Sequence, residues 1–252
     1  PLGTIKRQSS APDELAAALA AILTRLKAAQ NPVVLPSALL ARYGLQAKLA
    51  AFLDKSQIPF ATTPMDKGVV SEGHANFLGL YNGLRSAPAG VKALVEGADL
   101  VLDLGGIVLA DANTASWSDA LPADRLVSVN DNWVRIGGTI FSQVAIEDML
   151  DGLIAQTPVF GGRGSAPAPA MLAITGNKAD ARSSATFYPR LQRLLKAEDV
   201  LVVDTGTCML HLGAMLLPDG VGCEGQTLWG SIGWATPATL GVAMANDNAR
   251  TV

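Results

Sequence analysis

Cysteine is scarce in this chain: Cys208 and Cys223 are the only two in 252 residues. Two are too few for a disulfide framework, and no metal-ligand spacing surrounds them. Lys and Arg nowhere form a block, and the formal net charge is only −3, which argues against nucleic acid as the main partner. No uninterrupted run of ~18 apolar residues occurs, and no charged-then-apolar leader, so neither a membrane span nor a secretion signal is legible. A reducing cytoplasm is the expected location. What the chain does have is apolar content, 49% of its residues, enough to bury a substantial core without staples. Its length suits one large or two modest domains of ~100–200 residues each.

The pattern along the chain is an alternation of helices and strands. Ser10-Ala11-Pro12-Asp13 reads as a helix start with Ser10 as the cap. Leu15, Leu19, Ile22 and Leu26 follow at helical spacing, and Gln30-Asn31-Pro32 ends the run. Val33-Val34-Leu35 reads as a buried strand, Leu45, Leu49, Phe52 and Leu53 as a second helix, and residues 58–62 as a second strand. A helix at Val91, Leu94 and Val95, strands at 99–104 and 125–130, and a helix at 145–156 complete the unit. Apolar strands separated by helices imply a parallel sheet covered on both faces, a doubly wound α/β domain over residues 1–156.

Residues 157–182, rich in Gly, Pro and Ala, read as a surface linker. They include Gly161-Gly162-Arg163-Gly164, but no strand precedes these glycines and no Lys-Ser/Thr pair follows them, so they are not a phosphate loop. The βα pattern resumes with a helix at 188–196 and a strand at 199–204, giving an incomplete second α/β domain over residues 183–252. Only about 70 residues belong to it, half the usual size. The start at Pro1 and the finish, where Asn248-Ala249-Arg250-Thr251-Val252 leads into a new strand, give the expectation of a piece of a longer protein.

Two segments carry chemistry. Asp204-Thr205-Gly206-Thr207 follows the strand directly and opens a helix. That arrangement places N–H and O–H groups at the carboxyl edge of a parallel sheet, where open α/β folds bind ligands; an ordinary capped turn is the competing reading. In Leu228-Trp229-Gly230-Ser231-Ile232-Gly233-Trp234, an apolar branched residue stands between glycines. It suits a rigid wedge against a flat ligand, with a simple core cap as the alternative. His211, on a helix beside the core, reads as structural, and Cys208 has no evident base beside it. Cys223 and His74 read as surface-loop residues.

In this order and separation the two segments resemble the diphosphate-binding domain of the thiamine-diphosphate-dependent 2-oxo-acid decarboxylases, the pyruvate and indolepyruvate decarboxylase family. Thr63-Pro64-Met65-Asp66-Lys67-Gly68, Gly79-Leu80-Tyr81-Asn82-Gly83, the segment 98–106 and Asp111-Ala112-Asn113-Thr114 are similar to its central domain. The resemblance runs from about Asp13 to Ala245. It implies that Thr207 contacts the cofactor and that Gly230 and Ser231 meet its aminopyrimidine. It further implies that Ile232 keeps the cofactor bent, with the 4′-amino nitrogen against the thiazolium C2.

The implied reaction is non-oxidative decarboxylation of a 2-oxo acid, pyruvate-like or aryl or branched, to an aldehyde and CO2, in a homodimer or homotetramer. The cofactors implied are thiamine diphosphate and Mg2+. The family's metal loop, its activating Glu and its proton-handling residues fall outside these residues, so no catalytic and no metal residue is named, and this chain alone is expected to be inactive. Cys208-Met209-Leu210-His211 departs from the family's usual Ser-Ala-Phe-Gly and leaves the substrate open. The alternatives are another thiamine-diphosphate enzyme resembling acetolactate synthase, a nucleotide- or FAD-binding oxidoreductase domain, or a scaffold module. Against the nucleotide reading, Pro36-Ser37-Ala38-Leu39 follows the first strand without G-x-G-x-x-G.

Overall fold

The computed structural model describes residues 9–115, 120–177, 179–246 and 249–252; Pro1 and Asn248 of the reading above lie outside them. The first helix, α1 (Pro12–Ala28), carries Pro at its first position, and its cap is Ala11 without a side-chain bond. Ser10 is therefore not the cap. Its hydroxyl donates to Asp148 Oδ2 (2.7 Å) and accepts from the Ala145 N–H (2.8 Å), joining the entry of α1 to a helix far along the chain. A tertiary partner has outcompeted the local one.

The strand β1 (Pro32–Pro36) leads to the short helix α2 (Ala38–Arg42), where Ser37 does cap, and then to α3 (Gln46–Ser56). β2 (Phe60–Thr62) and β3 (Phe77–Leu80) follow, then α4 (Val91–Glu96), β4 (Leu100–Leu104), α5 (Asp111–Thr114) and β5 (Leu126–Val129). β6 (Trp133–Ile136) and β7 (Thr139–Ser142) form a hairpin before α6 (Ile146–Gln156). The seven strands lie in the order β3-β2-β1-β4-β5-β6-β7. The first five are parallel and the last two antiparallel, so the sheet is mostly rather than wholly parallel.

Strand pleating sorts the side chains onto two faces. Val34, Leu100, Leu102 and Leu104 pack with Leu19, Ile22, Leu49, Phe52 and Leu153 of α1, α3 and α6. Val33, Leu35 and Val101 pack on the other face with Val91 and Val95 of α4. Both faces are covered, as doubly wound sheets require.

No helix or strand lies between α6 and α7 (Ser184–Leu194) among the described residues. α7 contains Pro189, whose missing N–H would orphan the Ala185 carbonyl; the Thr175 hydroxyl donates to that carbonyl instead (3.2 Å). β8 (Val200–Val203), α8 (Thr207–Gly213), β9 (Gly222–Gly225) and α9 (Ala235–Ala245) complete the chain. β8 and β9 are parallel, and residues 250–252 pair with β8 in parallel, as the reading of a strand at Thr251 expects. Leu195, Leu201, Val203, Met209, Leu212 and Met215 form a separate small core.

Two corrections concern surface assignments. Cys223 lies within β9, and burial of its sulfur pushes the thiol up to about 12. His74 is tucked edge-on against Phe60 with ring centroids 5.3 Å apart. Its Nδ1 accepts from the Asn76 N–H (3.0 Å), and its Nε2 lies 3.0 Å from Asp54 Oδ1. Cys223 is thus a strand residue, while His74 does sit in the loop ahead of β3 but with its side chain partly buried.

Candidate functional site

Because β8 and β9 are parallel, the turns that leave them open on the same edge of the small sheet. The turn after β8 is Asp204-Thr205-Gly206, and Thr207 is the first residue of α8. The segment after β9 begins at Gln226 and runs through Gly230, Ser231 and Ile232. Four hydrogen bonds fasten the second segment to the first or brace it internally. The Thr205 hydroxyl donates to the Gln226 carbonyl (2.8 Å), and the Gly233 N–H donates to Asp204 Oδ2 (2.9 Å). Gln226 Oε1 accepts from the Leu228 N–H (2.6 Å) and the Trp229 N–H (3.1 Å). The two stretches singled out in the sequence thus form one lip, although Thr205 and Gly233 are 28 positions apart.

Gly230 and Gly233 adopt φ of 61° and 91°, values that carry little cost without a Cβ. Between them Ile232 is pushed outward, with 86% of its surface exposed, beside Trp229 at 77%. The core-cap reading of Ile232 is excluded by that exposure. Thr207 and Ser231 are exposed on the same lip.

The lip has room for a ligand. A Cβ built on Gly233 would meet nothing within 4 Å, and one on Gly206 would meet only Cys208 Sγ at 3.9 Å. Hydroxyls at Thr207 and Ser231 and a branched apolar face at Ile232 suit a molecule with a polar end and a flat ring. The donor set fits thiamine diphosphate in kind.

The remaining candidates stand apart from ligand chemistry. His211 stacks on Tyr188 with centroids 4.7 Å apart, in keeping with a structural role. Cys208 Sγ donates to the Asp204 carbonyl (3.3 Å) one helical turn back. Sequence reasoning placed Asp204 in the first segment without a role of its own and missed Gln226 as a residue that shapes the lip. A carboxylate ending a strand and an amide opening the next loop are ordinary turn signals; the carboxylate's partner Gly233 lies in the loop after β9, while the amide's partners are Leu228 and Trp229 in its own loop.

The lip lies at the carboxyl edge of the small parallel pair β8–β9, the kind of edge at which open α/β sheets bind ligands. Residues 19–154 match the family described as "Thiamine pyrophosphate enzyme, central domain", more than half of the chain, and the chain belongs to that family. It is 33% identical over 230 residues to the pyruvate decarboxylase of Candida glabrata and 34% identical over 230 residues to that of Kluyveromyces lactis. Each alignment takes in 90% of this chain and 40% of the relative, so the chain spans well under half the length of the curated relatives it matches. In fold it is similar to benzoylformate decarboxylase from Polynucleobacter necessarius, with a TM-score of 0.70 and 17% identity, over 100% of this chain and 47% of that one.

Proposed function

We propose that this chain is part of a thiamine-diphosphate- and Mg2+-dependent enzyme that decarboxylates a 2-oxo acid without oxidation, giving an aldehyde and CO2. Residues 1–156 are its central domain, 157–182 a linker, and 183–252 part of the domain that holds the coenzyme. The family match and the curated decarboxylase relatives support the reaction class. The observation that carries the reading is Ile232, thrust out between two glycines and braced through Gly233 to Asp204.

Thiamine diphosphate, when bound, supplies the electron sink that a 2-oxo acid needs to lose CO2. The task of this chain is geometric. Thr207, Gly230 and Ser231 would hold and orient the coenzyme, and Ile232 would back its ring. A wedge that cannot shift keeps reacting groups in place and so lowers the barrier.

The 252-residue chain is inert by itself, and the working assembly is a homodimer or homotetramer of the longer protein. α9 is apolar yet has no buried residue, with Leu240 and Met244 exposed, a face that the rest of the longer protein would cover.

Calorimetric titration of the longer protein with thiamine diphosphate and Mg2+, paired with CO2 release from pyruvate, benzoylformate and branched 2-oxo acids, tests the reading. Coenzyme binding and CO2 release by the longer protein, with none above the buffer blank from the 252-residue chain, is the expected result. No coenzyme binding by the longer protein would overturn it.

A further inference from the structure

The loop that carries Ile232 has a third anchor, which comes from the middle of the chain. Thr227 is fully buried, directly after Gln226 and ahead of the exposed Trp229. Its hydroxyl donates to Asn113 Oδ1 (3.1 Å). Asn113 belongs to α5, in the segment that joins the large sheet's strands β4 and β5, and is itself fully buried. The same Oδ1 accepts from the Met65 N–H (3.0 Å), and Nδ2 donates to the Val108 carbonyl (2.8 Å). Both lone pairs of that oxygen are therefore in use, and the amide nitrogen fixes which way the group faces.

This geometry demands an amide. A carboxylate at 113 would keep the two acceptor bonds but set a negative oxygen against the Val108 carbonyl. An aliphatic side chain would orphan the buried Met65 N–H and the Thr227 hydroxyl together. The amide is also well placed to transmit position. Met65 lies in the 3-10 turn Pro64–Asp66, which packs against β9, and Thr227 leads out of β9 into the lip. One side chain thus links the backbone at Met65 and Val108, beside the large sheet, to the Thr227 hydroxyl at the start of the Ile232 loop.

We infer that Asn113 is a positioning residue for the coenzyme loop, holding it through the Thr227 hydroxyl so that Ile232 stands at a fixed height above the small sheet. The inference rests on the coenzyme reading given above and adds to it a control point some 120 residues away in sequence. Asn113 does not touch the coenzyme; it acts through Thr227.

The test uses two readouts. The first needs no coenzyme: hydrogen exchange of the Leu228, Trp229 and Gly233 amides, each bonded within the lip, in the 252-residue chain. Thr227→Val removes one hydroxyl at constant shape, and it should speed exchange at these amides by about tenfold. Asn113→Ala should do the same, Thr227→Ser should restore the natural rate, and the double variant Asn113→Ala/Thr227→Val should exceed neither single variant. Unchanged exchange in Thr227→Val, or additive effects in the double variant, would overturn the link.

The second readout is thiamine diphosphate affinity, with Mg2+, in the longer protein. Thr227→Val should weaken it by about tenfold, while exchange in β1 and β4 stays as in the natural protein. Equal affinity despite faster loop exchange would overturn the positioning role. Absence of coenzyme binding in the natural longer protein, with the exchange effect intact, would instead sink the coenzyme reading and leave a bare loop tether.

Discussion

The Lys67 ammonium and the Glu72 carboxylate form an ion pair of 2.8 Å whose side chains are only 4% and 1% exposed. Neither charge is left with spare capacity. Lys67 Nζ also donates to the Met215 carbonyl (2.9 Å), and Glu72 Oε2 accepts from the Leu217 N–H (2.8 Å). The pair belongs to the loop between β2 and β3, and its two outer bonds reach the segment after α8. It therefore fastens the small core to the large sheet by buried, charge-assisted bonds.

Removing one partner strands the other charge out of water. Lys67→Met is expected to cost about 3–5 kcal/mol, read as a lowered urea midpoint. Glu72→Gln is expected to cost less, because an amide oxygen can still accept from the Leu217 N–H. A Lys67→Met/Glu72→Gln pair should cost less than the sum of the single variants.

Ile232→Ala separates function from stability. The side chain is 86% exposed, so its truncation should move the unfolding free energy by no more than about 0.5 kcal/mol. In the longer enzyme, loss of the wedge should lower kcat by about 10–100-fold. A kcat within twofold of the natural enzyme would remove Ile232 from the coenzyme reading.

Two buried carboxyls predict how stability follows pH. Burial raises Asp66 from 3.8 to about 6, against the Thr63 hydroxyl, the Ala38 N–H, the Ser37 hydroxyl and the Arg42 charge, which all pull it down. Burial raises Asp103 to about 7, and the nearby Asp66 charge adds to the rise. The Ile107 and Gly106 N–H groups and the Ser128 hydroxyl oppose it. Between the unfolded value near 4 and these folded values, the folded state binds more protons than the unfolded one. The stability these groups contribute is complete below about pH 4 and is lost as pH rises through 6 to 7. Urea unfolding should show that decline, and Asp103→Asn should flatten its upper part.

Ser10→Ala should cost about 1–2 kcal/mol, more than a partly exposed serine ahead of a helix would suggest. The Ala145 N–H loses its acceptor and Asp148 loses a donor. If thermal unfolding shows no change, the bridge between the start of α1 and α6 contributes nothing.

Much of this architecture is legible in the sequence, for definable reasons. β1, β4, β5 and β8 are short apolar runs, and α1, α3 and α6 bury one stripe each, so burial itself writes their pattern. β3 is hidden because Gly79 interrupts its apolar run. The β6–β7 hairpin escapes because three of the four β7 residues are exposed, which leaves no apolar face to read; Gly137-Gly138 between the strands is the one signal present.

The lip is half legible. The Gly-Ser-Ile-Gly string announces itself, because glycines around a branched apolar residue are unusual. Its supports do not. Asp204 and Asn113 act through partners 29 and 114 positions away, and no local spacing encodes such contacts; Gln226 braces the loop on the N–H groups two and three positions further on. Charge misleads in the same way: Lys67 and Glu72, five positions apart, look like solvent residues until the segment after α8 covers them.

The sulfur buried in β9 has a practical corollary. Only the thiolate attacks a maleimide or a methanethiosulfonate reagent, and with its thiol pushed up to about 12, Cys223 is protonated throughout the neutral range. The chain's other thiol, Cys208, is partly exposed and lies four positions after Asp204. A spin label or fluorophore on Cys208 would report from beside the lip, with no residue replaced.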